Sequence, residues 1–118
     1  PKRQIPIWIG GFADVALRRA ARIADGFIFA DGAGDAFTQL DTLKGFLKEE
    51  GRDLGGFGLQ NNMLKPKSAE EVVDTALRWR DAGGTHVGIN TMGMGLTTAD
   101  QHLAYLARCL EALNKAGL

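Results

Sequence analysis

Four times along this chain of 118 residues a short apolar run gives way to a stretch with helical periodicity, and no other feature restricts the fold as much. The runs begin near residues 5, 27, 57 and 86. Short apolar runs bounded by turn residues read as strands buried on both faces, the pattern of a parallel sheet, and spacings of roughly 20 to 30 residues suit βα units. The expected fold class is α/β, with parallel strands near 5–9, 27–30, 57–63 and 86–91, each followed by a helix.

Each unit carries its own punctuation. Ile5-Pro6-Ile7-Trp8-Ile9 ends in Gly10-Gly11-Phe12, and Asp14 is expected to cap a helix whose face is Ala16, Leu17, Ala20, Ala21 and Ala24. Asp25-Gly26 ends that helix, Phe27 to Ala30 forms the second strand, and Asp31-Gly32-Ala33-Gly34-Asp35 is a loop. A helix from about Ala36 to Glu50 follows, with Phe37, Leu40, Leu43 and Leu47 on one face. The third strand, Phe57 to Met63, holds three amides in a row at Gln60, Asn61 and Asn62. Ser68 and Glu71 fit a capping box, and Val72, Val73, Ala76, Leu77 and Arg80 continue that helix to a stop at Gly83-Gly84. His86 to Thr91 is the fourth strand, Met92-Gly93-Met94-Gly95 its exit, and Thr98 a cap for the last helix, whose expected stripe is Leu103, Leu106, Ala107, Leu110 and Leu113.

Composition excludes several classes of partner. Fourteen basic residues balance fourteen acidic ones, so no net field draws the chain to nucleic acid or to an anionic membrane. No apolar run reaches the ~20 residues of a membrane span, and nothing at the start resembles a signal peptide. A single cysteine, Cys109, has no internal disulfide partner and falls on an apolar helix side, which points to a buried thiol and a cytoplasmic protein. No low-complexity linker divides residues 1–118, which read as one domain. The opening Pro1-Lys2-Arg3-Gln4 lacks a methionine and reads as a cut end.

Candidate sites lie at the strand exits, because ligands of α/β folds bind outside the carboxyl ends of parallel strands. Gly10-Gly11 leads, since free N–H groups and the positive end of a helix dipole favour an anion there, although a cap by Asp14 would compete and a glycine pair also makes a plain tight turn. Gly93-Met94-Gly95 offers a similar choice between a phosphate loop and a capped turn. Asp31 and Asp35 flank a glycine-rich loop, either as an acid–base pair or as solvated turn residues with one N-cap. Alternation puts Gln60 and Asn62 on one face of their strand and Asn61 on the other, and one of these faces is expected to meet a ligand. His86 and His102 lack partners at metal-binding spacing, Trp8 and Trp79 read as core or interface, and no nucleophilic triad is visible.

Pro6-Ile7-Trp8-Ile9-Gly10-Gly11, then Ala16-Leu17-Arg18-Arg19-Ala20-Ala21-Arg22 and Ala24-Asp25-Gly26-Phe27, resembles the luciferase-like monooxygenase family of FMN- and F420-dependent oxidoreductases. Gly51-Arg52-Asp53 and Ala82-Gly83-Gly84-Thr85-His86-Val87 follow in the family's order. The resemblance implies the C-terminal (βα)4 half of a TIM (β/α)8 barrel. It further implies that Gly10, Gly11 and Phe12 contact the phosphate-bearing tail of the cofactor, with Ala30 and Asp31 as further contacts, and it favours F420 over FMN. The parent protein would be an oxidoreductase acting on a small molecule. The family's first four βα units, which carry the residues credited with proton transfer, have no counterpart here, so the catalytic residues are unknown and the chain alone is expected to be inactive.

An open sheet with two free edges calls for cover, so the expected partner is a further copy of the chain or a missing N-terminal half-barrel. The rival expectation is a non-catalytic, self-associating half-barrel that binds no flavin. A phosphate-binding barrel enzyme unrelated to flavins is the third.

Overall fold

The computed structural model describes residues 2–31 and 34–118; Gly32 and Ala33 of the expected 31–35 loop lie outside it. Among the described residues strands and helices alternate: β1 (Trp8–Gly10), α1 (Asp14–Ile23), β2 (Gly26–Asp31), α2 (Ala36–Glu49), β3 (Gly58–Leu64), α3 (Ala69–Asp81), β4 (His86–Asn90) and α4 (Ala99–Lys115). The four strands form one parallel sheet in the order β1-β2-β3-β4. Each crossover therefore steps in the same direction, with no reversal of strand order, and this is the winding of a barrel instead of a doubly wound sheet. The fold is a half TIM-barrel-like α/β unit.

Alternation along the strands assigns the two faces of the sheet. Phe27 and Phe29 of β2 and Leu59, Asn61 and Met63 of β3 are buried beneath the helices. On the helix side Leu17, Ala20 and Ala21 of α1 and Leu40, Leu43 and Leu47 of α2 meet them. The small side chains of α1 let that helix approach closely. Trp79 of α3 joins this core edge-on to Phe29 at 5.3 Å, and its indole N–H donates to the Leu59 carbonyl at 3.2 Å, so the largest buried side chain leaves no polar orphan. A smaller cluster of Met63, Val72, Tyr105 and Cys109 seats α4.

Several expected boundaries and faces are corrected. The first strand is Trp8–Gly10 and not 5–9, because Pro6 lacks an N–H and Ile7 spends both backbone groups on Asp25, at 2.8 Å to its carboxylate and 2.7 Å from its N–H. The third strand starts at Gly58 and the fourth ends at Asn90, each within a residue of expectation. On α3 the buried set is Val72, Thr75, Ala76 and Trp79, and Arg80 is exposed. On α4 the stripe is rotated: Tyr105 and Cys109 are buried, whereas Leu103 and Leu110 are 63% and 60% exposed. The reason is position. Helix α4 is last in the row, so its apolar arc has a neighbour on the α3 side only.

Arg52 has a structural role that its motif alone did not reveal. Its guanidinium donates to the carbonyls of Ala21 at 2.8 Å and Ala24 at 2.7 Å, taking up free acceptors at the carboxyl end of α1, where a cation also suits the helix dipole. Replacing Arg52 by Met should cost about 1–3 kcal/mol and lower Tm by roughly 5–15 °C in thermal denaturation followed by circular dichroism. An unchanged Tm would contradict that role.

Candidate functional site

The barrel-facing side of the sheet is organised in rows across the strands. Strand register aligns Trp8 with Gly26 and Gly58, then Gly10 with Ile28, Gln60 and His86, then Ala30 with Asn62 and Gly88, and last Leu64 with Asn90. In the first row one indole covers two glycines. A Cβ at Gly26 would lie 2.5 Å from the Trp8 ring, one at Gly58 would also strike it, and the edge of the ring meets His86 at 5.3 Å. Trp8 therefore floors the amino-terminal end of this face. An open depression of about 530 Å³, bordered by Trp8, Gly58, Asp25 and His86, lies at that end, away from the strand exits.

The amide triplet divides as alternation requires. Gln60 and Asn62 are half-buried on the barrel-facing side, their amides lying against Gly88, where any Cβ would strike Asn62 and come within 3.1 Å of the Gln60 nitrogen. Asn61 is fully buried beneath the helices, and neither its Nδ2 nor its Oδ1 has a hydrogen-bond partner among the described residues. The pair on the open face of the sheet is thus Gln60 and Asn62.

At the β1 exit the two glycines differ in kind. Gly11 has φ 155°, a region that side chains rarely adopt, and a Cβ there would stand 2.9 Å from Ala16 Cβ, so the chain itself requires glycine. Gly10 has no such constraint. It is exposed, and a Cβ would make ordinary contact, 3.5 Å from the Ile28 carbonyl oxygen. Nothing in this chain forbids a side chain there.

The helix that follows is capped differently from expectation. Asp14 is not the N-cap of α1: the N-cap is Ala13, which provides no side-chain hydrogen bond, and Asp14 is the first helical residue. The extended backbone at Ala13 makes it the cap and starts the helix one residue earlier than expected, with Asp14 already helical. The other three helices are capped by side chains. Asp35 accepts from Phe37 N at 3.0 Å, Ser68 from Glu71 N at 3.1 Å, and Thr98 from Gln101 N at 3.2 Å with Gln101 returning the bond. The Ser68 box is only half closed, because Glu71 reaches back to the N–H of Lys67 at 2.6 Å. Among the described residues α1 alone begins without a side-chain acceptor, and it does so at the Gly10-Gly11 exit.

The remaining candidates separate. Phe12 is 58% exposed beside Gly11, and its carbonyl accepts from Gln39 Nε2 at 3.4 Å. Ala30 shares the barrel-facing side with Gly10, whereas Asp31 falls in the helix-facing set and lines a separate depression of about 240 Å³ with Lys67, Glu71 and Thr75. Asp35 is committed to its cap; bonds from the Thr38 hydroxyl and the Phe37 N–H lower its pKa, so it stands as a carboxylate acceptor and not as a proton donor paired with Asp31. His86 Nδ1 lies 2.8 Å from the Thr85 hydroxyl and His102 Nδ1 2.7 Å from the Thr91 hydroxyl. Cys109 is buried, and burial raises its thiol pKa, which does not suit a nucleophile. Among the described residues no group of three metal-ligating side chains gathers, and no helix is long and apolar enough to cross a membrane.

Sequence reasoning passed over Lys65. It leaves β3 with a left-handed backbone, φ 52°, donates its N–H to the Asn90 carbonyl at 3.0 Å, and lays its side chain against Gly93, where a Cβ would be 2.9 Å from Lys65 Cε. Leu64, Lys65, Asn90, Met92 and Gly93 border a depression of about 330 Å³ at the strand exits. Lys-Pro directly after a strand was the available signal; the approach to Gly93 depends on β3–β4 register, which the sequence does not print.

Comparison with known proteins gives no matching family model. Uncharacterized proteins of Mycobacterium tuberculosis and Mycobacterium bovis are 38% identical over 87 residues, which is 74% of this chain and 28% of theirs. The match thus spans little more than a quarter of the length of these curated relatives. Among solved structures the chain is similar to the coenzyme F420-dependent tetrahydromethanopterin reductase from Methanopyrus kandleri, with 15% identity, a TM-score of 0.44, and coverage of 92% of this chain and 42% of that one.

Two measurements check this geometry. Gly10→Ala should leave Tm nearly unchanged while Gly11→Ala costs about 1–3 kcal/mol; equal losses at both would contradict the distinction. Asn61→Leu should hold or raise Tm, because it removes two unpaired buried polar atoms, and a loss of about 2 kcal/mol or more would show that the amide is engaged.

Proposed function

We propose that this chain is the cofactor-tail half of an F420- or FMN-dependent oxidoreductase of the luciferase-like kind, with F420 the favoured cofactor. The observation that carries this reading is the β1 exit: of the four helix starts, the one without a side-chain cap follows a glycine pair whose first member the chain does not need for its own packing. Unpaired N–H groups at a helix start, with the positive end of the dipole behind them, suit a phosphate, and a missing Cβ lets it come close. The sequence resemblance of residues 6–11, 16–22 and 24–27 points to the same turn.

In this reading Gly10, Gly11 and Phe12 hold the phosphate-bearing tail, with Ala30 on the neighbouring strand. Asp31 is a weaker contact, because its depression lies on the other side of the strand. The cofactor supplies the hydride chemistry when bound, and this chain binds and orients it. Gln60 and Asn62 offer amide donors and acceptors to the polar edge of a ring lying over the barrel face. Asp14, in the first turn of α1, opposes an anion there. Chemistry on the substrate belongs to a complete barrel, so the chain by itself binds without turning over.

A titration tests this directly. Adding the chain to F420, and separately to FMN, should quench fluorescence to saturation, and Gly10→Val should weaken binding at least about tenfold while leaving the circular dichroism spectrum and Tm in place. Gly10→Val is preferred to Gly11→Val because the latter also breaks the turn. Absence of quenching with both cofactors, or equal binding by Gly10→Val, would overturn the reading in favour of a self-associating half-barrel that binds no flavin. That second reading has its own support in the apolar side chains left exposed at the two edges of the sheet.

A further inference from the structure

Among the described residues Lys65 is the one non-glycine residue with a left-handed backbone, at φ 52°. Side chains seldom accept that region, and a following proline pushes the residue before it toward extended backbone instead. Bonds on both sides hold the conformation. The Lys65 N–H donates to the Asn90 carbonyl at 3.0 Å, the Tyr105 hydroxyl to the Pro66 carbonyl at 2.8 Å, and the Lys67 N–H to Glu71 Oε2 at 2.6 Å. Backbone kept in so rare a region by its surroundings is characteristic of binding and active sites, so it matters where this one sends its side chain.

That side chain crosses from β3 to the β4 exit. A Cβ at Gly93 would stand 2.9 Å from Lys65 Cε and 3.1 Å from Nζ, so the end of the lysine lies where a side chain at 93 would be. Lys65 also borders the depression that holds Asp31 and Glu71, yet it pairs with neither, and none of the ion pairs among the described residues includes it. On the other side it borders the depression of about 330 Å³ at the strand exits, with Leu64, Asn90, Met92 and Gly93 and no carboxylate. Asn90 has a fixed sense there: its Oδ1 accepts from the Met92 N–H at 2.8 Å, which leaves its NH2 as a donor. The border thus presents an ammonium, an amide donor, and two apolar side chains, Leu64 and Met92, that are exposed in this chain.

We propose that this depression binds the carboxylate of a small organic acid, with Lys65 Nζ and Asn90 Nδ2 as donors and Leu64 and Met92 against the apolar body of the ligand. A bond from an ammonium to a carboxylate is of the strong, charge-assisted kind. Two donors match the two oxygens of a carboxylate, whereas a phosphate group asks for more donors than this border supplies. The depression opens at the same end of the sheet as Gly10, but two and three strands away, roughly 10–14 Å at the usual strand spacing. It is therefore separate from the turn assigned to the cofactor tail. That the acid is the substrate of an oxidoreductase rests on the function proposed above; that the depression binds a carboxylate does not.

The test uses no cofactor, so its outcome is independent of the fluorescence titration. Adding butyrate to the isotope-labelled 118-residue chain should move the NMR signals of the Lys65 ε-methylene, the Asn90 side-chain NH2 and the Gly93 amide together and to saturation, while Lys48 and Lys67 stay in place. Butanol, of the same length without the charge, should move none of them. Lys65→Gln should weaken butyrate binding at least about tenfold, the size of one charge-assisted contact. Lys65→Gly removes the ammonium yet suits the left-handed backbone, so it should lose binding as fully while Tm holds or rises. A Tm that falls in Lys65→Gly would assign the lysine to the fold and overturn the proposal. Shifts that do not saturate, or that appear equally at Lys48 and Lys67, would overturn it, as would equal butyrate binding by Lys65→Gln. Inorganic phosphate that saturates the same signals more tightly than butyrate would replace the carboxylate site with a phosphate site.

Discussion

A parallel sheet covered by helices on one face is the constraint from which the rest of this structure follows. The covered face takes aromatic and aliphatic side chains, and its packing against α1, α2 and α3 forms the main core. The uncovered face cannot be built the same way. It carries glycines under a single indole at one end, two amides in the middle, and Gly10, Ala30 and Asn90 toward the strand exits. The outer helices inherit the same imbalance: α2 and α3 have neighbours on both sides, while α1 and α4 each bury one flank and leave the other exposed.

The hydrogen-bonding groups at helix ends give the site its location. Asp35, Ser68 and Thr98 satisfy the starts of α2, α3 and α4, and Arg52 takes the carbonyls at the end of α1. What this pattern leaves without a side-chain partner is the start of α1, next to a glycine that no contact within the chain requires. One feature is a local absence of a cap and the other a local absence of a side chain. They coincide at one strand exit, and that coincidence is what the proposed function rests on. Lys65, across the same end of the sheet, adds a cation that the motif reading passed over.

Much of this was legible in the sequence, and the failures have particular causes. Element order and type could be read because apolar runs bounded by glycine and aspartate alternate with helical periodicity. The Thr98 cap and the split of Gln60 and Asn62 from Asn61 followed from local chemistry and from alternation. The first strand was drawn too long because an apolar run does not reveal that Pro6 cannot donate or that Asp25 engages Ile7. Asp14 looked like a cap because aspartate near a helix start usually is one; the extended backbone at Ala13, after Gly11, moves the cap back by a residue. The α4 stripe was misplaced for a different reason. Its apolar arc runs from Leu103 to Leu113, and which part is buried depends on which flank a neighbouring helix covers, here the α3 side.

The central claim is that the uncapped start of α1 is the seat of the cofactor's anionic tail, and hydrogen–deuterium exchange with and without F420 or FMN tests it most directly. Amides of the segment 10–15 should gain protection when cofactor is present, while the starts of α2, α3 and α4, each with one first-turn N–H already bonded to its cap side chain, should exchange as before. Protection at those other helix starts with none at 10–15 would contradict the account.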